Sequence, residues 1–161
     1  MKEILMSRSP EETEQAGAHL AALLAAHRGG EKWFVCLYGD LGAGKSELTR
    51  GIATGLGVRG PVTSPSFTIM NVYEDGRLPL YHFDWYRLES SEELYEMGMD
   101  EYLTGDGVCV IEWPGVCPDA IPATRLDVTV TPLDDASREI TLTPRGGFHP
   151  IAIAADQSPS T

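Results

Sequence analysis

Eight consecutive residues of this chain have the types and spacing of a phosphate-binding loop. They are Gly39, Asp40, Leu41, Gly42, Ala43, Gly44, Lys45 and Ser46, and they match the pattern G-x-x-x-x-G-K-[ST] at every fixed position. Glycine lets the backbone wrap closely around an anion, because a side chain would penalise the dihedral angles required. Backbone N–H groups and Lys45 would bind phosphate oxygens, and the Ser46 hydroxyl would ligate Mg²⁺. The pattern predicts a nucleotide-phosphate site.

The segments beside the loop predict the context in which this pattern binds nucleotides. Residues 33–38 form a continuous apolar run that predicts a buried strand. Residues 46–56 follow the loop, and Leu48, Ile52 and Leu56 recur on one face at helical spacing. The loop would therefore join a strand to the N-terminus of a helix, whose partial positive charge favours anions.

A loop that hydrolyses nucleotides also needs a carboxylate near Mg²⁺, and two residues compete for that role. Glu112 follows the apolar run 108–111, and Asp84 ends the return strand of a predicted hairpin. Ligands collect beyond the carboxyl ends of strands in open α/β sheets, so either acid fits this position. The alternative for each is a surface carboxylate or a helix cap. We expect metal-linked roles for both, and which one contacts Mg²⁺ directly stays open.

Residues near these acids allow more than one interpretation. The hydroxyl-rich segment 63–66 is either an ordinary Ser/Pro turn or a switch ordered by the γ-phosphate, and we favour the switch. His82 alternates with Asp84 and would face the same side, either in support of the site or, as we favour, as a hydrogen-bonded structural histidine. Trp85 and Trp113 each follow an acid. Either they line the pocket, or they form part of a surface for a partner protein, or they serve packing alone.

The remaining patterns predict one α/β domain with a P-loop NTPase-like fold, in which a central mixed sheet contains antiparallel hairpins and has flanking helices. An Asp-Gly turn at 75–76 predicts a hairpin with its return strand at 78–84. Residues 108–112, an apolar run that ends in an acid, predict a buried parallel strand. Alternating residues at 126–131 and 138–143 predict a second antiparallel pair.

The two ends of the chain carry further signals. Ser9, Pro10 and Glu12 form a capping pattern that starts a helix, and Gly29-Gly30 ends it. We assign residues 1–144 to the P-loop domain. Residues 145–161 are rich in Gly, Pro and Ser, and we expect a C-terminal tail that is partly disordered.

Composition limits the compartment and the partners. The chain has 161 residues, 42% hydrophobic and 22% charged, which suits a single soluble domain. No apolar run is long enough to cross a membrane and no secretory signal is visible, so we expect a cytoplasmic protein. The formal net charge of −12 repels phosphate backbones, so we expect no strong direct binding of nucleic acid. Cys36, Cys109 and Cys117 lack C-x-x-C spacing, which favours buried reduced thiols.

Four motifs together resemble the bacterial TsaE family, also known as the YjeE family. They are the loop at 39–46, Thr63-Ser64-Pro65-Ser66-Phe67-Thr68, Tyr81-His82-Phe83-Asp84-Trp85-Tyr86-Arg87-Leu88 and Ile111-Glu112-Trp113-Pro114. Their order and spacing agree with the family, and the resemblance covers roughly residues 9–143. The loop alone would be weak evidence for a family, whereas the combination is specific.

The resemblance implies an ATPase, with ATP and Mg²⁺ as cofactors, that is required for making threonylcarbamoyladenosine in tRNA. Members of that family bind a complex of two partner proteins, TsaB and TsaD, and the resemblance implies that hydrolysis supports turnover of the complex. Because the partner proteins act on the tRNA, this role agrees with an acidic chain that need not bind nucleic acid itself. We expect slow hydrolysis alone and stimulation by the partners.

The resemblance also implies roles for individual residues. Residues 39–45 would cradle the phosphates, and Ser46, where the family more often has Thr, would bind Mg²⁺ together with Asp84 and Glu112. The implied catalytic residues are Lys45, Thr63 as a switch residue, Asp84 and Glu112. Glu12 and Thr13 would lie by the adenine, and Arg138 matches a recurring basic position that we group with the nucleotide-binding residues.

Two other functions use the same loop. A small-molecule kinase would need an acceptor pocket and usually a mobile lid that bears arginine, and no such insertion is visible in the sequence. A non-catalytic, nucleotide-dependent binding module would need Lys45 but not Glu112. The products of the reaction, and the effects of replacing Lys45 and Glu112, discriminate among the ATPase, the kinase and the binding module.

Overall fold

Seven strands form one sheet in the computed structural model, which describes residues 2–26, 32–40, 42–65, 68–102 and 106–148. Four helices and two short 3₁₀ turns accompany the strands. The elements are β1 (Glu3–Ser7), α1 (Pro10–Ala26), β2 (Trp33–Tyr38), α2 (Lys45–Leu56), β3 (Met70–Tyr73), β4 (Leu80–Asp84), α3 (Ser91–Glu96), α4 (Met99–Tyr102), β5 (Val108–Glu112), the 3₁₀ turns Pro114–Val116 and Pro118–Ala120, β6 (Arg125–Pro132) and β7 (Arg138–Arg145).

A parallel centre and antiparallel edges make this a mixed sheet. The strand order is β1-β7-β6-β2-β5-β4-β3. β2 pairs in parallel with β5 and β6, and β4 pairs in parallel with β5. The hairpins β3–β4 and β6–β7 and the pairing of β1 with β7 are antiparallel. The predicted α/β fold, with its central mixed sheet and antiparallel hairpins, is confirmed.

Side chains of the central strands alternate between two hydrophobic cores, one on each face of the sheet. On β2, Val35 and Leu37 pack in the core that α1 and α2 cover, whereas Cys36 packs in the core that α3 and α4 cover. The alternation follows from the two-residue period of a strand. Because helices cover both faces, β2 and the first four residues of β5 are apolar, as expected for buried parallel strands.

The three cysteines are free and buried, which confirms the prediction of reduced thiols. Burial raises the pKa of the Cys36 thiol to about 12 and that of the Cys109 thiol to about 12. A thiol nucleophile needs the opposite shift toward the thiolate, so these side chains serve packing and not catalysis.

Direct backbone contact between α1 and α2 fixes the helix that follows the loop. A Cβ atom added at Gly51 would lie 2.0 Å from the carbonyl oxygen of Glu14. A Cβ atom added at Gly17 would lie 2.3 Å from the carbonyl oxygen of Leu48. Neither approach leaves room for a methyl group. The two glycines therefore allow α1 to hold α2, and with it the loop, at a set distance.

The ends of the described chain are tied to the fold. Ser9 Oγ accepts a hydrogen bond of 3.1 Å from the N–H of Glu12, and Glu12 Oε1 accepts one of 3.0 Å from the N–H of Arg8, so the predicted capping pattern forms. At the other end, β7 runs to Arg145, and the Phe148 ring lies 5.2 Å from that of Trp33.

Several predicted features lie outside the described residues. They are the glycine pair at the end of the first helix, Leu41 of the loop, Ser66 of the predicted switch segment, and residues 149–161 of the predicted tail. Within the described part of the chain, no helix is long and apolar enough to cross a membrane.

Replacing Gly51 with alanine is expected to destabilise the protein, although alanine is the better helix former. Helix propensity alone would add about 0.5–1 kcal/mol of stability. The new methyl group, however, would overlap the carbonyl group of Glu14, and overpacking typically costs about 1–3 kcal/mol. We therefore expect a lower urea midpoint, measured by circular dichroism. Gly60→Ala is the matched control, because an added Cβ there meets nothing within 4 Å. Equal midpoints for the two variants would contradict the close-packing argument.

Candidate functional site

The carboxyl ends of three adjacent parallel strands meet at one edge of the sheet. β2 leads into the loop, its neighbour β5 ends in Glu112, and the next strand, β4, ends in Asp84. The register pairs Leu37 of β2 with Glu112, and Glu112 with Asp84. Glu112 and Asp84 also alternate in phase with Val110 and Leu80, which pack in the core on the α2 side. Both acids therefore lie on the face of the sheet that carries the loop helix.

The loop backbone has the conformation that the glycine spacing predicts. Gly42 and Gly44 have φ angles of 80° and 111°, in the region that penalises other residues. Gly44 is the N-cap of α2, and no side chain caps the helix there. The first N–H groups of α2, together with the positive end of its dipole, are therefore available to an anion.

Lys45 lies at the centre of this edge and lacks a hydrogen-bond partner within the described residues. It is buried, and its Nζ atom is 3.9 Å from the centre of the Trp113 ring. Burial lowers the pKa of Lys45, while the negative charges of Glu112, Asp84 and Asp40 act in the opposite direction. An ammonium group with three N–H donors, no hydrogen-bond partner in the described part of the chain and an aromatic face against it is well suited to bind phosphate oxygens.

A cleft of about 210 Å³ brings the second half of the loop together with both predicted acids. It is lined by Gly42, Gly44, Lys45, Ser46, Glu47, Ser64, Asp84, Glu112 and Trp113. The glycine backbone and the lysine are the groups that phosphates need. Hydroxyl and carboxylate oxygens are the ligands that Mg²⁺ prefers. The residues present therefore fit a nucleotide with Mg²⁺, with Ser46, Asp84 and Glu112 as the candidate metal ligands.

Each of the two acids is held through one carboxylate oxygen. Asp84 Oδ1 accepts a hydrogen bond of 2.9 Å from the N–H of Tyr86. Glu112 Oε2 lies 2.5 Å from Nε2 of His82, and the tautomer with its proton on Nε2 donates a hydrogen bond to this oxygen. The second oxygen of each acid has no hydrogen-bond partner among the described residues, and both residues line the cleft. His82 is thus a hydrogen-bonded histidine, as predicted, and its partner is one of the two acids.

The predicted switch segment reaches the cleft through Ser64 and not through Thr63. The backbone N–H of Thr63 donates to the Tyr73 hydroxyl at 3.2 Å, and its carbonyl accepts from the Asn71 amide at 3.0 Å. These bonds tie Thr63 to β3, while Ser64 lines the cleft. The sequence does not indicate which of Thr63 and Ser64 lines the cleft, because both are hydroxyl residues in one loop.

The residues expected near the adenine, Glu12 and Thr13, do not line this cleft. Thr13 and Arg138 border a small crevice together with Gly44. The Thr13 hydroxyl is buried and lies 2.7 Å from Ser7 Oγ. Glu12 lines a separate groove, between α1 and β1.

Arg138 contacts the loop itself. Its Nε donates a hydrogen bond of 2.7 Å to the carbonyl oxygen of Ala43, and Nη1 donates to the carbonyl oxygens of Asp134 and Ser137 at 2.8 and 2.9 Å. Arg138 therefore fixes the peptide before Gly44 to the start of β7. The 95 residues that separate Arg138 from Ala43 explain why sequence reasoning gave this arginine no defined role.

The two tryptophans that follow the acids have different environments. Trp85 is fully buried in the core on the α3 side, which is a packing role. Trp113 lines the cleft, has a left-handed φ of 57°, and packs against the exposed Tyr86 with ring centres 4.9 Å apart. A positive φ is uncommon for an aromatic residue, and here it accompanies contact with Lys45.

Comparisons with known proteins agree on one family. A family model described as "Threonylcarbamoyl adenosine biosynthesis protein TsaE" matches residues 7–140. The tRNA threonylcarbamoyladenosine biosynthesis protein TsaE of Bacillus subtilis is 46% identical over 138 residues, which cover 86% of this chain and 83% of that protein. The protein of the same name from Treponema pallidum is 41% identical, covering 85% and 97%. A crystal structure of Bacillus subtilis YdiB aligns with a TM-score of 0.75 at 38% identity, covering 91% of this chain and 87% of that one.

Replacing Arg138 with alanine is expected to weaken ATP binding without unfolding the protein. The variant loses the hydrogen bond to the Ala43 carbonyl, and a hydrogen bond from a charged group is worth about 1.5 kcal/mol or more, roughly tenfold in affinity. Isothermal titration calorimetry measures the affinity, and a thermal melt checks the fold. Arg50→Ala is the charge-matched control, since Arg50 makes only half-exposed ion pairs with Glu14 and Glu47. An Arg138→Ala variant that binds ATP as the wild type does would show that the contact does not support the loop.

Proposed function

Because the chain belongs to the TsaE family, we propose that it is a Mg²⁺-dependent ATPase that supports threonylcarbamoyladenosine modification of tRNA. We further propose that it acts through a complex with TsaB and TsaD. The family description supplies the pathway, and the site geometry supports the activity. ATP and Mg²⁺ would bind in the cleft between the loop and the two acids.

One observation carries this proposal: the loop lysine faces both strand-end acids across a single cleft. Lys45 is buried without a hydrogen-bond partner within the described residues, and Asp84 and Glu112 line the same cleft. A site that only bound phosphate would gain nothing from two carboxylates, because they repel the anion. Carboxylates beside a phosphate loop favour a divalent cation that screens this repulsion.

The residues of the chain would divide the work of hydrolysis. The N–H groups of the loop and of the α2 N-terminus bind phosphate oxygens, and Lys45 adds a positive charge close to them. Ser46, Asp84 and Glu112 would hold Mg²⁺, which neutralises negative charge on the phosphates when bound. Either acid, Asp84 or Glu112, can also orient the attacking water from its place in the cleft. Trp113 covers the Lys45 ammonium group and limits its contact with bulk water.

The charge balance of the cleft supports dependence on a partner. Among the described residues that line it, Lys45 is the one cation, against the carboxylates of Glu47, Asp84 and Glu112. Phosphoryl transfer is often accelerated by a further cationic group that reaches the phosphates in the transition state, frequently an arginine from a partner protein. A partner that orders the loop carrying Ser64 or supplies such a charge would raise a low basal rate.

Release of free phosphate from ATP tests the proposed activity, with and without the TsaB–TsaD complex. We expect slow Mg²⁺-dependent release by the protein alone and faster release with the complex. Lys45→Ala should lose nucleotide binding. Glu112→Ala should still bind ATP but should turn over about 100-fold more slowly and fail to support tRNA modification. The control is Glu74→Ala, because Glu74 is an exposed carboxylate in the β3–β4 turn, at the opposite edge of the sheet.

The outcomes separate this proposal from its rivals. A phosphorylated small-molecule acceptor in place of free phosphate would indicate a kinase. A Glu112→Ala variant that supports tRNA modification as well as the wild type would indicate a binding module without catalysis. Equal rates with and without TsaB–TsaD would contradict the proposed partner dependence.

A further inference from the structure

A buried histidine lies directly behind one of the two acids of the cleft. His82 is 2% exposed, and its Nε2 atom is 2.5 Å from Oε2 of Glu112. This is the one hydrogen bond to the Glu112 side chain from the residues that the structure describes. The other ring nitrogen, Nδ1, is buried and has no hydrogen-bond partner in the same part of the chain. The histidine therefore directs its one polar contact at Glu112.

The register of the sheet creates this contact. In the parallel pairing of β4 with β5, Asp84 is opposite Glu112, and His82 is opposite Val110. His82 and Asp84 are two residues apart on β4, so both face the side of the sheet that carries Glu112. The Glu112 side chain therefore has one oxygen held by His82 within the sheet, while the residue also lines the cleft.

We propose that His82 is a positioning residue that holds the Glu112 carboxylate in the orientation needed to bind Mg²⁺ beside the nucleotide. This inference rests on the proposed function. A free glutamate side chain would lose rotamer freedom when the metal binds, which opposes binding. The hydrogen bond from Nε2 fixes the carboxylate beforehand through Oε2, and Oε1 keeps no hydrogen-bond partner among the described residues. Donors that orient metal-binding carboxylates commonly change metal affinity by about 10–100-fold when they are removed.

The arrangement at Asp84 supports a positioning role for His82 and not a role in packing alone. Asp84 is likewise held through one oxygen, by the N–H of Tyr86, and likewise lines the cleft. Both cleft-lining acids are thus hydrogen-bonded through one oxygen, and the other oxygen of each has no hydrogen-bond partner among the described residues. Stability alone does not explain the buried pair, because two well-packed apolar side chains of similar volume are often as stable as a buried polar pair.

The gain in ATP affinity that Mg²⁺ produces tests this inference directly, without measuring hydrolysis. ATP affinity is measured by calorimetry with EDTA and again with a Mg²⁺ series, for the wild type and for three variants at His82. His82→Gln keeps an N–H donor at a similar reach, His82→Asn keeps an amide that is too short, and His82→Leu removes the donor. Tyr81→Phe controls for changes on the same strand, since Tyr81 packs on Tyr102 at the other face of the sheet.

We expect the Mg²⁺-dependent gain to fall about tenfold or more in His82→Leu and His82→Asn, with ATP affinity in EDTA unchanged. His82→Gln and Tyr81→Phe should stay close to the wild type.

If His82→Leu does not fold, the Mg²⁺-dependent gains of His82→Gln and His82→Asn are compared instead. Both variants place a neutral amide at the position and differ in the reach of its N–H donor. The inference would be overturned if Mg²⁺ raised ATP affinity equally in His82→Asn and His82→Gln, or as much in His82→Leu as in the wild type. Either result would leave the proposed function intact. Wild-type protein that binds ATP no better with Mg²⁺ would overturn the proposed metal dependence, and this inference with it.

Discussion

The parallel pairing of β5 with β2 on one side and β4 on the other is the constraint on which the site depends. Parallel strands end at the same edge of a sheet, so this pairing brings the loop after β2 next to Glu112 and Asp84. A shift of one residue in the register of either pair would turn an acid to the opposite face, away from α2. Hydrophobic cores on both faces make such a shift costly, because Val110 and Ile111 would exchange environments. The apolar centre of the protein therefore sets the geometry of its polar edge.

The site also depends on contacts that hold the loop from two sides. Below it, α1 packs against α2 with backbone in direct contact at Gly51. Beside it, Arg138 binds the Ala43 carbonyl from the start of β7. The loop backbone is thus arranged before any ligand arrives, and a phosphate would meet N–H groups that need little reorganisation.

Electrostatics in the cleft is a balance of opposed terms. Burial disfavours the charged form of Lys45, whereas Glu112, Asp84 and Asp40 favour it. The Trp113 ring face offers the ammonium group partial compensation without a hydrogen bond. Phosphate binding would replace that compensation with stronger, charge-assisted hydrogen bonds. His82 and the Tyr86 N–H occupy one oxygen of each acid, so the carboxylates stay fixed close to the lysine.

Local chain patterns were sufficient to predict the loop, its strand and helix, both hairpins and the two acids at strand ends. These features depend on residues that are near one another in the chain, such as glycines that permit positive φ angles or side chains that alternate along a strand. The contacts that complete the site join distant residues: Arg138 with Ala43, His82 with Glu112, and Trp113 with Lys45. The sequence identified Arg138 and His82 as residues of interest, yet it left their partners open, because strand order and register set those partners. The choice between Thr63 and Ser64 likewise depended on hydrogen bonds to β3 that chain order does not encode.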